Sequence, residues 1–196
     1  MPAYGLTSSQ PSALWIGVAG AGMAASLIAA PSPNGVTGAG LAALLTLIAA
    51  YDAQSMRIPN ELNLGVFALA LVHAGLSGVG FGWQEIVQEV ALAIVRGAAL
   101  AIAFLLLRTG YRLLRKRDGI GLGDVKLAGA AGAWLDWQTM PVAVEIAALA
   151  ALAAYILRQR TLGRTLRPDG RLPFGLFFAP AIWLGWLIET TGLLSP

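Results

Sequence analysis

Seven times along the chain a long apolar run gives way to a short polar break. The runs occupy residues 12–30, 36–51, 62–80, 86–107, 120–135, 139–157 and 174–190. Backbone groups surrounded by lipid must be hydrogen-bonded within their own segment, so runs of about this length predict membrane-spanning helices, the second and fifth being short. The breaks agree: "PSPNG" follows the first run, "IPNE" the second and "SGVGFGW" the third, while "RPDGRLP" precedes the last. Ser12 after Pro11 suits a helix entry, and Asn60 before Glu61 suits a cap for the third helix. No internal repeat stands out and no soluble domain fits between the runs. The pattern predicts an all-α, polytopic transmembrane bundle of about seven spans in one domain, residues 1–35 forming an extra N-terminal helix and residues 36–190 the core. The flank "MPAYGLTSSQP" carries no lysine or arginine, so the first run reads as a retained helix rather than a cleaved leader.

Composition removes the soluble alternative. Hydrophobic residues make up 57% and charged residues 12%, with a mean hydropathy of +0.71; an integral membrane protein is the class that fits. The chain has no cysteine, which excludes disulfides, thiol nucleophiles, thiolate zinc sites and iron–sulfur clusters. His73 is the single histidine and reads as a packed residue, with no partner histidine for a zinc triad. Neither a metal nor another cofactor is expected.

Charge then orients the spans. Of thirteen Lys and Arg, twelve fall beside one face when the spans alternate: Arg57; Arg108, Arg112, Arg115, Lys116 and Arg117; Lys126; and Arg158, Arg160, Arg164, Arg167 and Arg171. The positive-inside rule makes that face cytoplasmic, with the N-terminus inside. Topogenesis and anionic lipid headgroups account for the basic clusters. Membrane lipid is thus an expected partner and nucleic acid is not.

Against this frame two carboxylates stand at matched depth. Asp52 ends the second span in "YDAQSMRIPN", and Asp124 lies at the start of the fifth in "GIGLGDVKLAG". An ionised aspartate within a spanning helix costs about 2.5–3.5 kcal/mol, less near the interface. Taken singly, each has a plain reading: Asp52 marks a helix end, and in "GLGD" the small residues allow close helix approach while the aspartate caps the fifth helix. Together they suggest acid–base chemistry. Two carboxylates within a few ångströms share a proton, so one can take a proton from water while the other polarises a peptide carbonyl. Gly121 and Gly123 then leave room for substrate and permit torsions closed to other residues. Lys126, two positions beyond Asp124, points away from it in a regular helix and is then placed to bind lipid headgroups, whereas in an unwound turn it would bias the carboxylate toward ionisation.

Three stretches carry a resemblance, in order: "YDAQSMRIPNELN", "GIGLGDVKLAGAAG" and "LPFGLFFAPA". They resemble the motifs of the type IV prepilin peptidases, membrane aspartic proteases of the GxGD class, from about residue 36 to 187. The resemblance implies that Asp52 and Asp124 are the catalytic pair, with Gly121, Gly123 and Lys126 in support. It also implies cleavage of the short basic leader of type IV prepilins or pseudopilins at the cytoplasmic face of the bacterial inner membrane. Many members also methylate the new N-terminus and carry paired CxxC motifs; this chain resembles the shorter, peptidase-only members, and methylation is not implied. Leu176 stands where the third motif leads one to expect proline, and Pro173, Phe174 and Gly175 also suit the plain start of a helix.

Other charged and aromatic residues complete the expectations. Arg96 and Glu145 fall inside spans and are expected to pair, or Arg96 to find Glu89. The six tryptophans lie mostly toward span ends and read as interfacial anchors. A basic leader needs acidic partners in water, and Glu61 and Asp118 flank the expected site, with Pro173, Phe174 and Gly175 close by. Two other functions fit the same charges: a GxGD intramembrane protease with another substrate, or a small proton-coupled carrier, which should hold its key groups near the midplane.

Overall fold

The computed structural model describes residues 13–30, 33–116, 119–162 and 172–192. These form α1 (Ala13–Ala29), α2 (Asn34–Ser55), α3 (Asn60–Ser77), α4 (Trp83–Arg115), α5 (Leu122–Trp134), α6 (Thr139–Thr161) and α7 (Phe174–Thr190). Every predicted run is therefore a helix, and no strand occurs among the described residues. By length and composition α2, α4 and α6 are each long and apolar enough to cross a membrane, and α1 and α7 are shorter apolar helices. The fold is an all-α membrane bundle.

Helix ends depart from the apolar runs for a physical reason: hydropathy stops where a helix leaves lipid, while hydrogen bonding continues. α4 runs two turns past the predicted end at residue 107, and Arg112 and Arg115 in its last turn suit the negative end of the helix. At 33 residues it is about 50 Å long, against a hydrocarbon core of about 30 Å. α2 likewise continues to Ser55, which draws Asp52 inside its last turn.

α5 is the short central helix, with α3, α4 and α7 packed around it. Its glycines and alanines let α4 approach backbone to backbone. A Cβ on Gly132 would lie 2.5 Å from the carbonyl oxygen of Arg96, and one on Gly97 would lie 2.7 Å from that of Gly129. α1 packs mainly on α2 and α6 on α7. Phe104, Phe174 and Phe178 stack between α4 and α7, with centroids 5.3–6.3 Å apart.

Two expectations are overturned here. Trp134 and Trp186 are core residues at 3% and 1% exposure, not interfacial anchors. The short α5 ends inside the bundle, where the Trp134 indole donates to the Val66 carbonyl at 2.9 Å, and Trp186 fills the space left by Gly38. Arg96 pairs with neither Glu145 nor Glu89 but with Asp136 in the α5–α6 turn, whose amide donates to Glu189 of α7 at 2.7 Å. Glu145 is exposed on α6, a helix that packs on α7 rather than beside Arg96. His73 has the packed environment expected of it, bonded to Thr37 at 2.8 Å and stacked on Trp134.

Candidate active site

One end of the bundle gathers the end of α2, the turn into α3 and the starts of α5 and α7. α2 stops at Met56, whose left-handed backbone (φ 51°) turns the chain and whose amide caps the Asp52 carbonyl. The extended Pro59 (φ −57°, ψ 138°) then launches α3. Between them Ile58 reaches across the bundle end. It lies 3.2 Å from the position a Cβ on Gly123 would take, and 2.8 Å from that of Gly175. Glycine at both positions lets α5 and α7 close on one side chain.

The two motif aspartates border this junction. Asp52 is buried at 4% exposure, and its Oδ2 accepts the Leu176 amide at 3.0 Å. Asp124 is the third residue of α5, and its Oδ2 accepts the Gly121 amide at 3.1 Å. Each carboxylate therefore sits at a helix N-terminus, where free amides and the helix dipole favour negative charge. Ile58 bridges the two, meeting Gly123 next to Asp124 and Gly175 beside Asp52. The plain reading of "GLGD" holds as well: Asp124 makes the side-chain half of a capping box, the other half being impossible because Gly121 has no side chain.

The glycines contribute space rather than torsion. Gly121 has φ −70° and ψ 149°, open to any residue, and neither it nor Gly123 has a positive φ. What matters is proximity: a Cβ on Gly121 would lie 3.0 Å from Asp124 Oδ2, and one on Gly175 equally close to Asp52 Oδ2. Lys126 turns away from Asp124, and its Nζ donates to Asn60 Oδ1 at 2.7 Å. Asn60 is accordingly not the cap of α3; Pro59 occupies that position without a side-chain bond. Glu61 is exposed on the first turn of α3, and Asp118 lies outside the described residues. Pro173 precedes the first helical residue of α7, Phe174 enters the aromatic stack, and Gly175 is buried against Asp52.

Three participants escaped the sequence reading. Ile58 was visible as the apolar residue in the polar flank "MRIPNE". Asn63, whose Nδ2 donates to the Gly123 carbonyl at 3.4 Å, was one helical turn beyond Asn60. The Leu176 amide had a signal in Pro173: a proline before the first turn leaves the amides that follow it free. A proline at 176 would have no such amide to give, so this bond to Asp52 depends on the residue by which the chain departs from the expected motif. Among the described residues no group of three or more His, Cys, Asp or Glu is placed to hold a metal.

Residues 39–156 match the type IV leader peptidase family. The chain belongs to this family. It is 34% identical over 166 residues to a prepilin leader peptidase/N-methyltransferase of Burkholderia pseudomallei, covering 84% of this chain and 50% of that protein. It is also 30% identical over 143 residues to the leader peptidase HopD of Salmonella typhimurium, and 32% over 148 residues to that of Escherichia coli. Those matches cover 72% and 74% of this chain and 86% and 88% of the relatives. The chain spans about half the length of the first of these relatives. No solved structure matches.

Proposed function

We propose that this chain is a membrane aspartic endopeptidase that removes the basic leader from type IV prepilins or pseudopilins, with Asp52 and Asp124 activating water. The observation that carries the reading is the junction where Ile58 meets Gly123, the neighbour of Asp124, and Gly175, which lies against Asp52, in a member of the leader peptidase family. With one proton between them, the ionised carboxylate takes a proton from water while the protonated one donates to the scissile carbonyl. Water oxygen bonds to the carbonyl carbon, the tetrahedral centre collapses, and the leaving amine takes a proton as the C–N bond breaks. Gly121, Gly123 and Gly175 carry no side chain to stand between the carboxylates and an extended peptide.

Residues 36–190 form the peptidase core in this reading and residues 1–35 an added helix. The end that carries Arg57, Arg112, Arg115, Lys126 and Arg158 among the described residues faces the cytoplasm of the bacterial inner membrane, so the pair meets the leader where it lies in water. Glu61 and Asp118 attract the basic leader, Pro173, Phe174 and Gly175 border its path, and Lys126 holds the α3–α5 contact beside the site. Membrane lipid surrounds the bundle, and nucleic acid has no role. The reading is of a peptidase, and it includes no methyl transfer, metal or cofactor.

The test is cleavage of a prepilin by the purified chain in detergent or lipid. Asp52→Asn and Asp124→Asn keep size and lose titration, and each should lower kcat by about 10²–10⁴-fold with helical content unchanged. Either variant cutting at the wild-type rate would remove the proposal.

A further inference from the structure

A cavity of about 470 Å³ lies between α3, α4 and α5. Its bed is small and apolar, with Gly97, Ala98 and Ala101 of α4 facing Gly129 and Ala130 of α5. Leu64 and Ile94 border it at 67% and 46% exposure, so it opens sideways, toward acyl chains. Polar groups mark one end only. There Lys126 brings a cation, steadied by Asn60. Beside it Asn63 is 5% exposed, and its Oδ1 has no hydrogen-bond partner. A buried acceptor left unpaired is costly, which points to a donor arriving with a ligand.

This cavity is not the catalytic cleft. Lys126 follows Asp124 by two positions, which sets them on different sides of α5, and Asp124 turns toward Gly121 instead. A basic leader would be repelled by Lys126. The occupant that matches all three features has an apolar chain, an anion and a hydroxyl donor. We propose that the cavity binds one anionic glycerophospholipid with a hydroxyl-bearing headgroup. Its phosphate pairs with Lys126 Nζ, a headgroup hydroxyl donates to Asn63 Oδ1, and an acyl chain lies along the Ala98–Ala101 bed. Basic pockets between helices at the inner leaflet recognise headgroups in this way. The cavity borders the candidate active site through Lys126 and Asn63, but the lipid proposal does not require the proteolytic reading.

Native mass spectrometry of the purified full chain, titrated separately with dioleoylphosphatidylglycerol and dioleoylphosphatidylcholine, tests it. One phosphatidylglycerol should be retained with about tenfold lower Kd than phosphatidylcholine. Ala98→Phe, on an exposed position of α4, fills the bed and should remove that preference. Asn63→Leu should bind phosphatidylglycerol no better than the anionic, hydroxyl-free dioleoylphosphatidylmethanol, which the wild type should hold less tightly. Equal retention of phosphatidylglycerol and phosphatidylcholine by the wild type overturns the proposal, as does unchanged preference in Ala98→Phe. A raised KM for prepilin in Ala98→Phe with lipid retention intact would assign the cavity to the substrate's apolar segment instead. Should Asn63→Leu fail to fold, the lipid comparison and Ala98→Phe still decide.

Discussion

At the scale of single residues, the site is built from backbone amides and bare glycines as much as from carboxylates. The Leu176 amide is the sharpest case, because its donor can be removed without touching an acid. Leu176→Pro deletes the bond to Asp52, at a position early enough in α7 for proline to be tolerated. Leu176→Ala keeps it. Steady-state kinetics should show kcat for prepilin lowered about tenfold in the proline variant, the equivalent of one charged hydrogen bond, and nearly unchanged in the alanine variant. Equal loss in both would mean that the leucine side chain, not the amide, matters. Gly175→Ala is a second probe. Its methyl would meet Ile58 Cδ1 at 2.8 Å and Asp52 Oδ2 at 3.0 Å, and the variant should remain folded by circular dichroism while losing most of its turnover. Both aspartates were legible in the sequence because an acid in an oily run is conspicuous. Ile58 and the Leu176 amide left only faint signals there, since an ordinary isoleucine and a main-chain N–H acquire their roles only when α2, α5 and α7 meet.

At the scale of elements, hydropathy located all seven helices but misjudged their ends and their surroundings. Periodic signals are weak in lipid, where outward and inward faces are equally apolar, so nothing in the sequence ranked α5 above its neighbours as the central helix. Its small residues are the one usable sign, because only close packing rewards them where lipid is as apolar as leucine. The crossing of α4 and α5 through Gly97 and Gly132 makes this testable. Gly132→Val puts a branched side chain against the Arg96 carbonyl and should destabilise the bundle by about 1–3 kcal/mol. Thermal unfolding in detergent should show a lower Tm, and residual activity at low temperature should fall as the carrier of Asp124 is displaced. A Gly132→Val variant as stable as wild type would mean that α4 slides freely over α5.

At the scale of the whole molecule, the bundle has two unlike ends. One holds the carboxylates together with Arg112 and Arg115 of α4 and Arg158 and Arg160 of α6; the other is tied by Arg96, Asp136 and Glu189, which link α4, the α5–α6 turn and α7. The sequence showed that Arg96 needed an acid, but Asp136 sits in a polar break and offered no depth cue to choose it over Glu89 or Glu145. Because this network lies away from Asp52 and Asp124, Arg96→Leu should lower Tm while leaving kcat for prepilin near wild type. The proposed orientation predicts which end a label reaches, and the absence of cysteine makes a direct measurement possible. Ser55, at the end of α2, and Ser77, at the end of α3, lie at opposite ends of adjacent helices. In intact cells with a permeable outer membrane, a membrane-impermeant maleimide should label a Ser77→Cys variant and spare Ser55→Cys until the inner membrane is opened. The reverse pattern would place the carboxylates outside, where a leader retained in the cytoplasm by its own positive charge could not reach them.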